Sequence, residues 1–296
     1  MRRLAPQDLD AVVAIDAALG GRTRRAYFER RLQSAQRDPE RHVQLAADRD
    51  GKLAGFILGD ALEGEFGRSE PALRLEALGV EPAAQGRGLG AALSGAFEAA
   101  ARERGAGEIR TAALWREHGL LRFLDRAGYR LAASHVLDCA LAGSGLTTAD
   151  DDAEIALLDE RDLEGVARVD RRHTGRDRRG YLCRAIREAL SDSAVRISLA
   201  ARVDGGVAGY LMARLDYGDF GRAEPVAVID TVGVDPLRAR QGIGHALLSQ
   251  LFVNLRGLGV ERVETVVAAG NLELMGFFYR AGFRPAERLA FLKRLP

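Results

Sequence analysis

The order of hydrophobic and polar residues predicts the same series of elements twice along the chain. In the first half, apolar residues recur every three or four positions over 8–18 and 24–37, which indicates two amphipathic helices. Short apolar or alternating runs follow and indicate strands, because successive side chains of a strand point to opposite faces. The predicted elements are two helices (8–18 and 24–37), three strands (43–47, 53–58 and 73–80), a helix (89–104), a strand (108–114), a helix (119–127) and closing strand material (129–141).

The second half repeats the first with a constant offset. The hexapeptide at 66–71 returns at 220–225 with one substitution, and 220 − 66 = 154. The same offset relates Asp16 to Asp170 without an insertion. Because solenoid repeats recur at about 20 to 50 residues, an offset this long indicates duplication of a whole domain.

The duplication sets the predicted domain boundaries. Residues 143–152 lack apolar periodicity and are rich in Gly, Ser, Thr and Asp, as expected of a linker. We therefore predict an N-terminal domain over 1–143, a linker over 144–152 and a C-terminal domain over 153–296. The alternation of helices and strands predicts the α/β class, with mixed α and β layers in each domain.

Charge and cysteine content exclude several classes of partner. The 43 basic and 42 acidic side chains nearly cancel, so no overall field favours nucleic acid or an anionic membrane. Cys139 and Cys183 have unlike contexts, which predicts neither a disulfide framework nor a metal site. The first 19 residues lack the apolar core of a leader, and no apolar run reaches about 18 residues. We expect a cytoplasmic protein without a bound metal.

A glycine-rich segment joins a predicted strand to a predicted helix in each half. Glycine lets the backbone approach a ligand closely, and the start of a helix exposes unpaired N–H groups, so a pyrophosphate fits there. The alternative is that the glycines only permit a tight turn and close helix packing, but two copies favour the ligand. The implicated residues are Gln85, Gly86, Arg87, Gly88 and Gly90 in the first half, and Arg240, Gln241, Gly242 and Gly244 in the second.

These segments resemble the signature of the GNAT superfamily of N-acetyltransferases, Gln/Arg-x-x-Gly-x-Gly/Ala. Residues 85–90 match it fully, whereas Ala239 replaces the first residue in the second half. The later family pattern, a strand, an Asn and a helix ending in Gly-Phe, is similar to 266–283, but Glu117 replaces that Asn in the first half. The resemblance implies two tandem acyl-CoA N-acyltransferase domains, each with a mixed, mostly antiparallel sheet flanked by helices.

The resemblance also implies acetyl-CoA as the co-substrate. Its pantetheine arm would pair with backbone where the fourth and fifth strands of each domain splay apart, and the Asn of the later pattern would contact it. The residues so implied are Leu78 and Val80, Val232 and Val234, and Asn271.

Two carboxylates lie on the fourth strands at equivalent positions, since 230 − 76 = 154: Glu76 and Asp230. A carboxylate within an apolar strand is costly unless it is partnered or its pKa is raised, so each is a candidate general base. The alternative is a structural hydrogen bond or salt bridge to the neighbouring strand.

The acid that many family members use is missing from both halves. The resemblance places a Tyr seven residues after the Asn, and Phe278 and Leu124 stand at these positions. Tyr279 is the nearest substitute, but one residue turns a side chain by about 100° around a helix. Tyr279 is therefore a candidate acid or a surface residue. A thiol of ordinary pKa near 8.5 also permits departure without an acid.

The segment between the first two helices of each half is rich in arginine. These side chains could select an acceptor that carries carboxylate or phosphate, or they could form a solvated face. They are Arg22, Arg24 and Arg25 in the first half, and Arg171, Arg172, Arg176, Arg178 and Arg179 with His173 in the second.

The sequence thus predicts transfer of an acetyl group from acetyl-CoA to a primary amine of a small molecule or peptide, by direct attack in a ternary complex. Two alternatives remain: a non-catalytic module that binds acetyl-CoA, and an enzyme in which one half is active and the other is structural. We expect a monomer or a homodimer.

Overall fold

The computed structural model describes residues 1–21, 23–62, 70–142, 153–191, 197–216 and 224–296. Within these ranges, no helix combines the length and apolar character needed to cross a bilayer. The predicted linker over 144–152 lies outside the described residues, so the domain boundary stays a prediction.

The helices and strands follow the predicted order, with ends that shift by a few residues, except that each half begins with a strand that was not predicted. The helices are α1 Leu9–Gly20, α2 Arg25–Arg37, α3 Leu89–Glu103, α4 His118–Arg126, α5 Leu163–Thr174, α6 Arg179–Ser191, α7 Ile243–Gly257 and α8 Leu272–Arg280. The strands are β1 Arg2–Arg3, β2 His42–Arg49, β3 Lys52–Leu62, β4 Ala72–Val80, β5 Glu108–Leu114, β6 Arg130–Leu131, β7 Ser134–Ala140, β8 Glu154–Leu157, β9 Leu199–Val203, β10 Gly206–Asp216, β11 Val226–Val234, β12 Arg262–Ala268, β13 Arg284–Pro285 and β14 Arg288–Arg294.

The strands form two seven-stranded sheets, each mixed, mostly antiparallel and flanked by helices, as expected from the sequence. The first sheet has the order β1-β2-β3-β4-β5-β14-β6, and the second has the order β13-β7-β12-β11-β10-β9-β8. In each sheet one neighbouring pair, β4 with β5 and β11 with β12, is parallel.

The two halves exchange one strand. Strand β7, from the first half of the chain, pairs antiparallel with β12 along its whole length, and β14, from the second half, pairs in the same way with β5. The chain crosses between sheets at two short connections, where the amide of Ala132 donates to Ala290 (2.8 Å) and that of Ala286 donates to Val136 (2.9 Å). The second sheet therefore contains residues 134–140 of the predicted N-terminal domain.

Each sheet has a core on both faces. In the first sheet, α3 and α4 cover one face around Leu93, Phe97 and Leu124, while α1 and α2 cover the other around Phe28 and Phe56. Phe291 of β14 is buried in the first of these cores, although it comes from the second half of the chain. The strand exchange therefore buries apolar surface as well as forming hydrogen bonds.

We predict that Phe291→Ala destabilises the first sheet rather than the second. Removing a buried phenylalanine costs about 3–5 kcal/mol, because the surrounding side chains refill the cavity only in part. Hydrogen exchange should accelerate at the amides of β5. Phe283→Ala is the matched control, since Phe283 is eight residues away but buried in the second core, beneath α7. Faster exchange confined to β12 in Phe291→Ala would contradict the exchange of strands.

Candidate functional site

A bulge in β4 separates it from β5 and opens a cleft in the first sheet. The pairing of β3 with β4 shifts by one residue at Glu76, because Leu58 pairs with Ala77 and Gly59 pairs with Leu75. Pairing of β4 with β5 is limited to residues 72–74, although β4 continues to Val80. A bulge bends a strand and strengthens its twist, so the last residues of β4 diverge from β5.

The second sheet repeats this geometry. The shift between β10 and β11 falls at Asp230, and β11 pairs with β12 only over residues 227–229. A threonine marks the apex of each cleft, where Thr111 donates to the carbonyl of Leu75 (2.9 Å) and Thr265 donates to that of Ile229 (3.1 Å). Beyond each apex, the implied pantetheine residues Leu78, Val80, Val232 and Val234 lie on the diverging strands.

The glycine loops start the helices that border these clefts. Gly88 and Gly242 precede α3 and α7 in the left-handed conformation, with φ of 83° and 81°. The first helical bond of α3 runs from Ala92 to the carbonyl of Gly88. The amides before it have no partner within the helix, and a glycine offers no side chain to cap them. A Cβ added at Gly88 meets no atom within 4 Å, so a ligand can approach this backbone.

The last glycine of each loop has a different role. A Cβ at Gly90 would lie 3.2 Å from the ring of Phe123, and one at Gly244 would lie 3.1 Å from the ring of Phe277. Both distances are tighter than ordinary contacts. The packing interpretation therefore accounts for Gly90 and Gly244, whereas the open surroundings of Gly88 favour a ligand.

The other residues of the loops differ between the halves. Gln85 is fixed to the end of β4, because its side-chain amide donates to the carbonyl of Val80 (3.1 Å), and Arg87 is exposed. In the second half Gln241 is exposed, and Arg240 has a φ of 64° where its counterpart Gly86 has 73°. Arginine thus adopts a conformation that normally selects glycine.

Asn271 begins α8 and caps it, because its side-chain oxygen accepts from the amide of Leu274 (3.1 Å). Glu117 stands at the same place before α4. Burial raises the pKa of Glu117, and the guanidinium groups of Arg288, Arg116 and Arg24 offset part of that rise. The residues before α4 and α8 therefore differ in kind, a titratable carboxyl in the first half and a capping amide in the second.

Glu76 lies in a buried charge network. Its side chain is 1% exposed and forms ion pairs with Arg31 of α2 and with Arg74 (3.0 Å). Arg74 also pairs with Asp60 (2.9 Å). Burial acts to raise the pKa of Asp60, but Arg74 and then Arg31 outweigh it, and the pKa lies below its ordinary range. The alternative for Glu76 was a salt bridge to the neighbouring strand, but its ion pairs with Arg31 and Arg74 join it to α2 and to its own strand, and its catalytic role stays a prediction.

Asp230 has fewer partners and more exposure. It pairs with Arg214 of β10, and 24% of its side chain is exposed. Burial and the nearby Arg74 act to lower the pKa of Arg214, while Asp230 and Asp216 raise it above its ordinary value. The guanidinium therefore stays charged beside a carboxylate that solvent can reach.

The positions of the missing acid are filled by core residues. Leu124 and Phe278 are fully buried, and Phe278 packs edge-on against Phe283. Tyr279 follows on α8 and is 39% exposed. The structure does not bring Tyr279 and Asp230 into contact, and the catalytic role of Tyr279 stays a prediction.

Carboxylates hold several arginines of the segments between α1 and α2 and between α5 and α6. Arg24 is buried against Asp16 (2.8 Å), and Arg178 is held in the same way by Asp170 (2.9 Å). These two guanidinium groups fix the start of α2 and α6 and are neither free for an anion nor solvated. The more exposed ion pairs are Arg25 with Asp10, Arg179 with Glu164, and Arg172 with Asp235. Arg22 lies outside the described residues.

Sequence reasoning missed the residues that reach a cleft from the other half. Arg288 of β14 donates to the carbonyl of Ala112 in β5 (2.8 Å) and lies 3.4 Å from Glu264 in β12. The amide of Trp115 in turn donates to Glu287 (3.0 Å). No pattern along the chain signals these contacts, because they depend on the strand exchange.

A model of the acetyltransferase (GNAT) family matches residues 13–129 and again residues 161–283, which together make up more than half of the chain. The chain belongs to this family, and the tandem arrangement expected from the sequence is confirmed.

Two curated relatives each match a part of the chain. It is 36% identical over 112 residues to mycothiol acetyltransferase of Clavibacter sepedonicus, and 34% identical over 112 residues to that of Clavibacter michiganensis subsp. michiganensis (strain NCPPB 382). Each match covers 38% of this chain and 34% of the relative, so the chain matches about a third of the length of either relative.

Solved structures share the fold over the whole chain. A tandem GNAT protein from the clavulanic acid biosynthesis pathway superposes with a TM-score of 0.69 at 18% identity, covering 100% of this chain and 98% of that one. A GCN5-related N-acetyltransferase from Sphaerobacter thermophilus gives 0.62 at 20% identity, covering 99% and 95%.

We predict that Arg240→Gly stabilises the protein by about 0.5–1 kcal/mol. A left-handed conformation costs a non-glycine residue about 1–2 kcal/mol, and the greater freedom of glycine in the unfolded chain offsets about half of this gain. Thermal unfolding would show a higher midpoint. The reciprocal variant Gly86→Arg should lower stability by a similar amount. A lower midpoint for Arg240→Gly would show that contacts of the guanidinium outweigh the strain.

Proposed function

We propose that the protein transfers an acetyl group from acetyl-CoA to a primary amine of a small molecule or peptide. The observation that carries the proposal is the pairing, in both halves, of a bulge-opened strand cleft with a helix whose first amides have no partner within the helix and no side-chain cap. One element accommodates an extended arm, and the other accommodates a diphosphate. Acetyl-CoA contains both.

Each cleft has a distinct set of residues for the cofactor. Backbone amides at the start of α3 or α7 would bind the pyrophosphate, because the positive end of the helix dipole favours negative charge. The backbone groups of β4 or β11 beyond the bulge would pair with the amides of pantetheine. In the second half Asn271 would contact the arm, and Arg240 would face the phosphates.

The reaction balances without a metal or a covalent enzyme intermediate. The amine nitrogen attacks the thioester carbonyl carbon, a carbon–nitrogen bond forms, and the carbon–sulfur bond breaks with its electron pair leaving on sulfur. A proton from nitrogen passes to a general base, directly or through water. Because a thiol has an ordinary pKa near 8.5, the thiolate can leave and take its proton from water.

Asp230 is the better general base of the two bulge carboxylates. Among the described residues it has one guanidinium partner, and part of its side chain is exposed, whereas Glu76 is enclosed between Arg31 and Arg74. A base must reach the proton that it removes. We therefore assign catalysis to the second half, and we assign cofactor binding to both.

The relatives support the reaction class. Two curated relatives carry the name mycothiol acetyltransferase, and one structural neighbour is described as a glucosamine N-acetyltransferase region. Both names refer to acetylation, the second of an amino sugar. They are consistent with a small-molecule amine as the acceptor.

One observation favours a second candidate, a non-catalytic module that binds acetyl-CoA. Fully buried apolar side chains occupy the position of the family acid in both halves. Release of free thiol from acetyl-CoA in the presence of a panel of amines would support the enzyme, whereas binding without release would support the module.

We predict that each glycine loop binds one equivalent of coenzyme A. Gly88→Glu and Gly242→Glu should each reduce the calorimetric stoichiometry from two to one, because a carboxylate there repels the diphosphate. Gly105→Glu and Gly259→Glu are matched controls, since both glycines have positive φ and open surroundings but follow the far ends of α3 and α7. A loss in only one of the loop variants would show that only one cleft binds the cofactor.

We predict that Asp230→Asn lowers kcat by about 10²- to 10⁴-fold, the usual effect of removing a general base. Coenzyme A affinity should stay within a few-fold of wild type. Glu76→Gln should instead act on stability, by about 3 kcal/mol, because it leaves a buried arginine without its charge partner. Comparing kcat with the free energy of unfolding for both variants distinguishes the roles. A larger loss of kcat in Glu76→Gln would move catalysis to the first half.

A further inference from the structure

The exchanged strands begin with different residues at equivalent positions. Arg288 begins β14 and Ser134 begins β7, and 288 − 134 = 154. Each residue lies beside the open end of the cleft in the other half's sheet. Arg288 pairs with Leu114 at the end of β5, and Ser134 pairs with Ala268 at the end of β12.

In the first cleft the guanidinium of Arg288 occupies this place. Ala132 donates to the carbonyl of Ala290, so that carbonyl points away from β5. The pair Ala112 and Ala290 is then a non-hydrogen-bonded pair, and the carbonyl of Ala112 points into the cleft. Arg288 donates to this carbonyl (2.8 Å), and its side chain is only 9% exposed.

Beside the second cleft, the equivalent strand position carries a serine, whose short side chain leaves the place of the guanidinium unfilled by this residue. The side-chain oxygen of Ser134 is buried and has no hydrogen-bond partner among the described residues. Leu137 and Cys139 face the core beneath α7. Ser134 is an odd number of residues away from both along β7, so its side chain points to the opposite face.

Asp230 lies on that opposite face as well. Its partner Arg214 lies on β10, where Leu211 and Ala213 point into the core beneath α7. Because successive side chains of a strand point to opposite faces, Arg214 points away from that core. Asp230 thus borders the second cleft on β11, and Ser134 lies on the same face of the sheet, on the other side of β12.

We propose that Ser134, supplied by the first half of the chain, binds the acceptor amine in the second cleft. Its counterpart Arg288 fills the equivalent place in the first cleft and excludes an acceptor there. The inference rests on the proposed function and deepens it, because it makes the acceptor site a joint product of both halves.

The chemistry of the hydroxyl suits this role. A buried hydroxyl without a partner carries a desolvation cost that a bound polar group can remove. The oxygen of Ser134 can accept a hydrogen bond from the N–H of a neutral amine and so leave the nitrogen lone pair directed at the thioester carbon. Asp230, on the same face, would take the proton that is released.

The test is the kinetics of Ser134→Ala with the amine that the wild-type protein acetylates fastest. We expect KM for the amine to rise about 3- to 10-fold, the equivalent of one neutral hydrogen bond. KM for acetyl-CoA should not change. Ser134→Thr keeps the hydroxyl and should restore the wild-type KM. His135→Ala is the matched control, because His135 is the next residue of β7 and points to the other face.

Ser134→Met tests whether this space must stay open. The longer, neutral side chain would fill the space in the second cleft that corresponds to the one Arg288 fills in the first. Turnover should fall at least tenfold while calorimetry still finds two equivalents of coenzyme A. An unchanged amine KM in Ser134→Ala, or full turnover in Ser134→Met, overturns the inference while the proposed function stands. Absence of thiol release by the wild-type protein with every amine overturns both.

Discussion

One extra residue in the fourth strand of each repeat is the constraint on which the clefts depend. Strands β4 and β11 begin as regular partners of β5 and β12, and without a bulge the ladder would continue and close the sheet. The bulges at Glu76 and Asp230 end this pairing after three residues. Backbone groups beyond the bulges become available to a ligand. A bulge also changes the direction in which the side chain of the bulged residue points. The bulge residue of each strand therefore has two effects: it opens the cleft, and its own side chain puts a carboxylate beside that cleft.

The strand exchange supports one wall of each cleft from the opposite half of the chain. Strand β14 lies behind β5 and strand β7 lies behind β12, on the side away from the cleft. Such a connection makes the two repeats depend on each other for both core and site. Phe291 completes a core whose other fully buried members lie in the first half, and Arg288 joins the two sheets through Ala112 and Glu264. A fused pair therefore allows one repeat to specialise while it still supports the other.

Much of this architecture is predictable from the sequence, because it depends on local patterns. The period of apolar residues predicts the helices and strands to within a few residues, and the glycine loops begin α3 and α7 where expected. The hairpin at Asp50 and Gly51 is also local, since both residues have positive φ, as the favoured two-residue hairpin turns require. The strand exchange is not local. Apolar and polar residues alternate in the same way in β7 and β14. This alternation predicts which face of a strand is buried, but it does not predict which strand lies beside it. The ion pair of Glu76 with Arg31 likewise joins residues that only the packing of α2 brings together.

The charged side chains around the two bulge carboxylates differ between the halves. Asp60 of β3 corresponds to Arg214 of β10, because 214 − 60 = 154. In the first half the acidic Asp60 takes one side of Arg74, and the bulge carboxylate needs a further arginine from α2 to be accommodated in the interior. In the second half the basic Arg214 pairs with Asp230 directly from the neighbouring strand, so no cation from α6 is required and the carboxylate keeps an exposed edge. A buried charge is tolerated only with partners, and the number of partners decides how far solvent and substrate can reach it. Both copies of the strand thus carry a carboxylate at the bulge, and the charged residues around it determine how far each carboxylate is exposed.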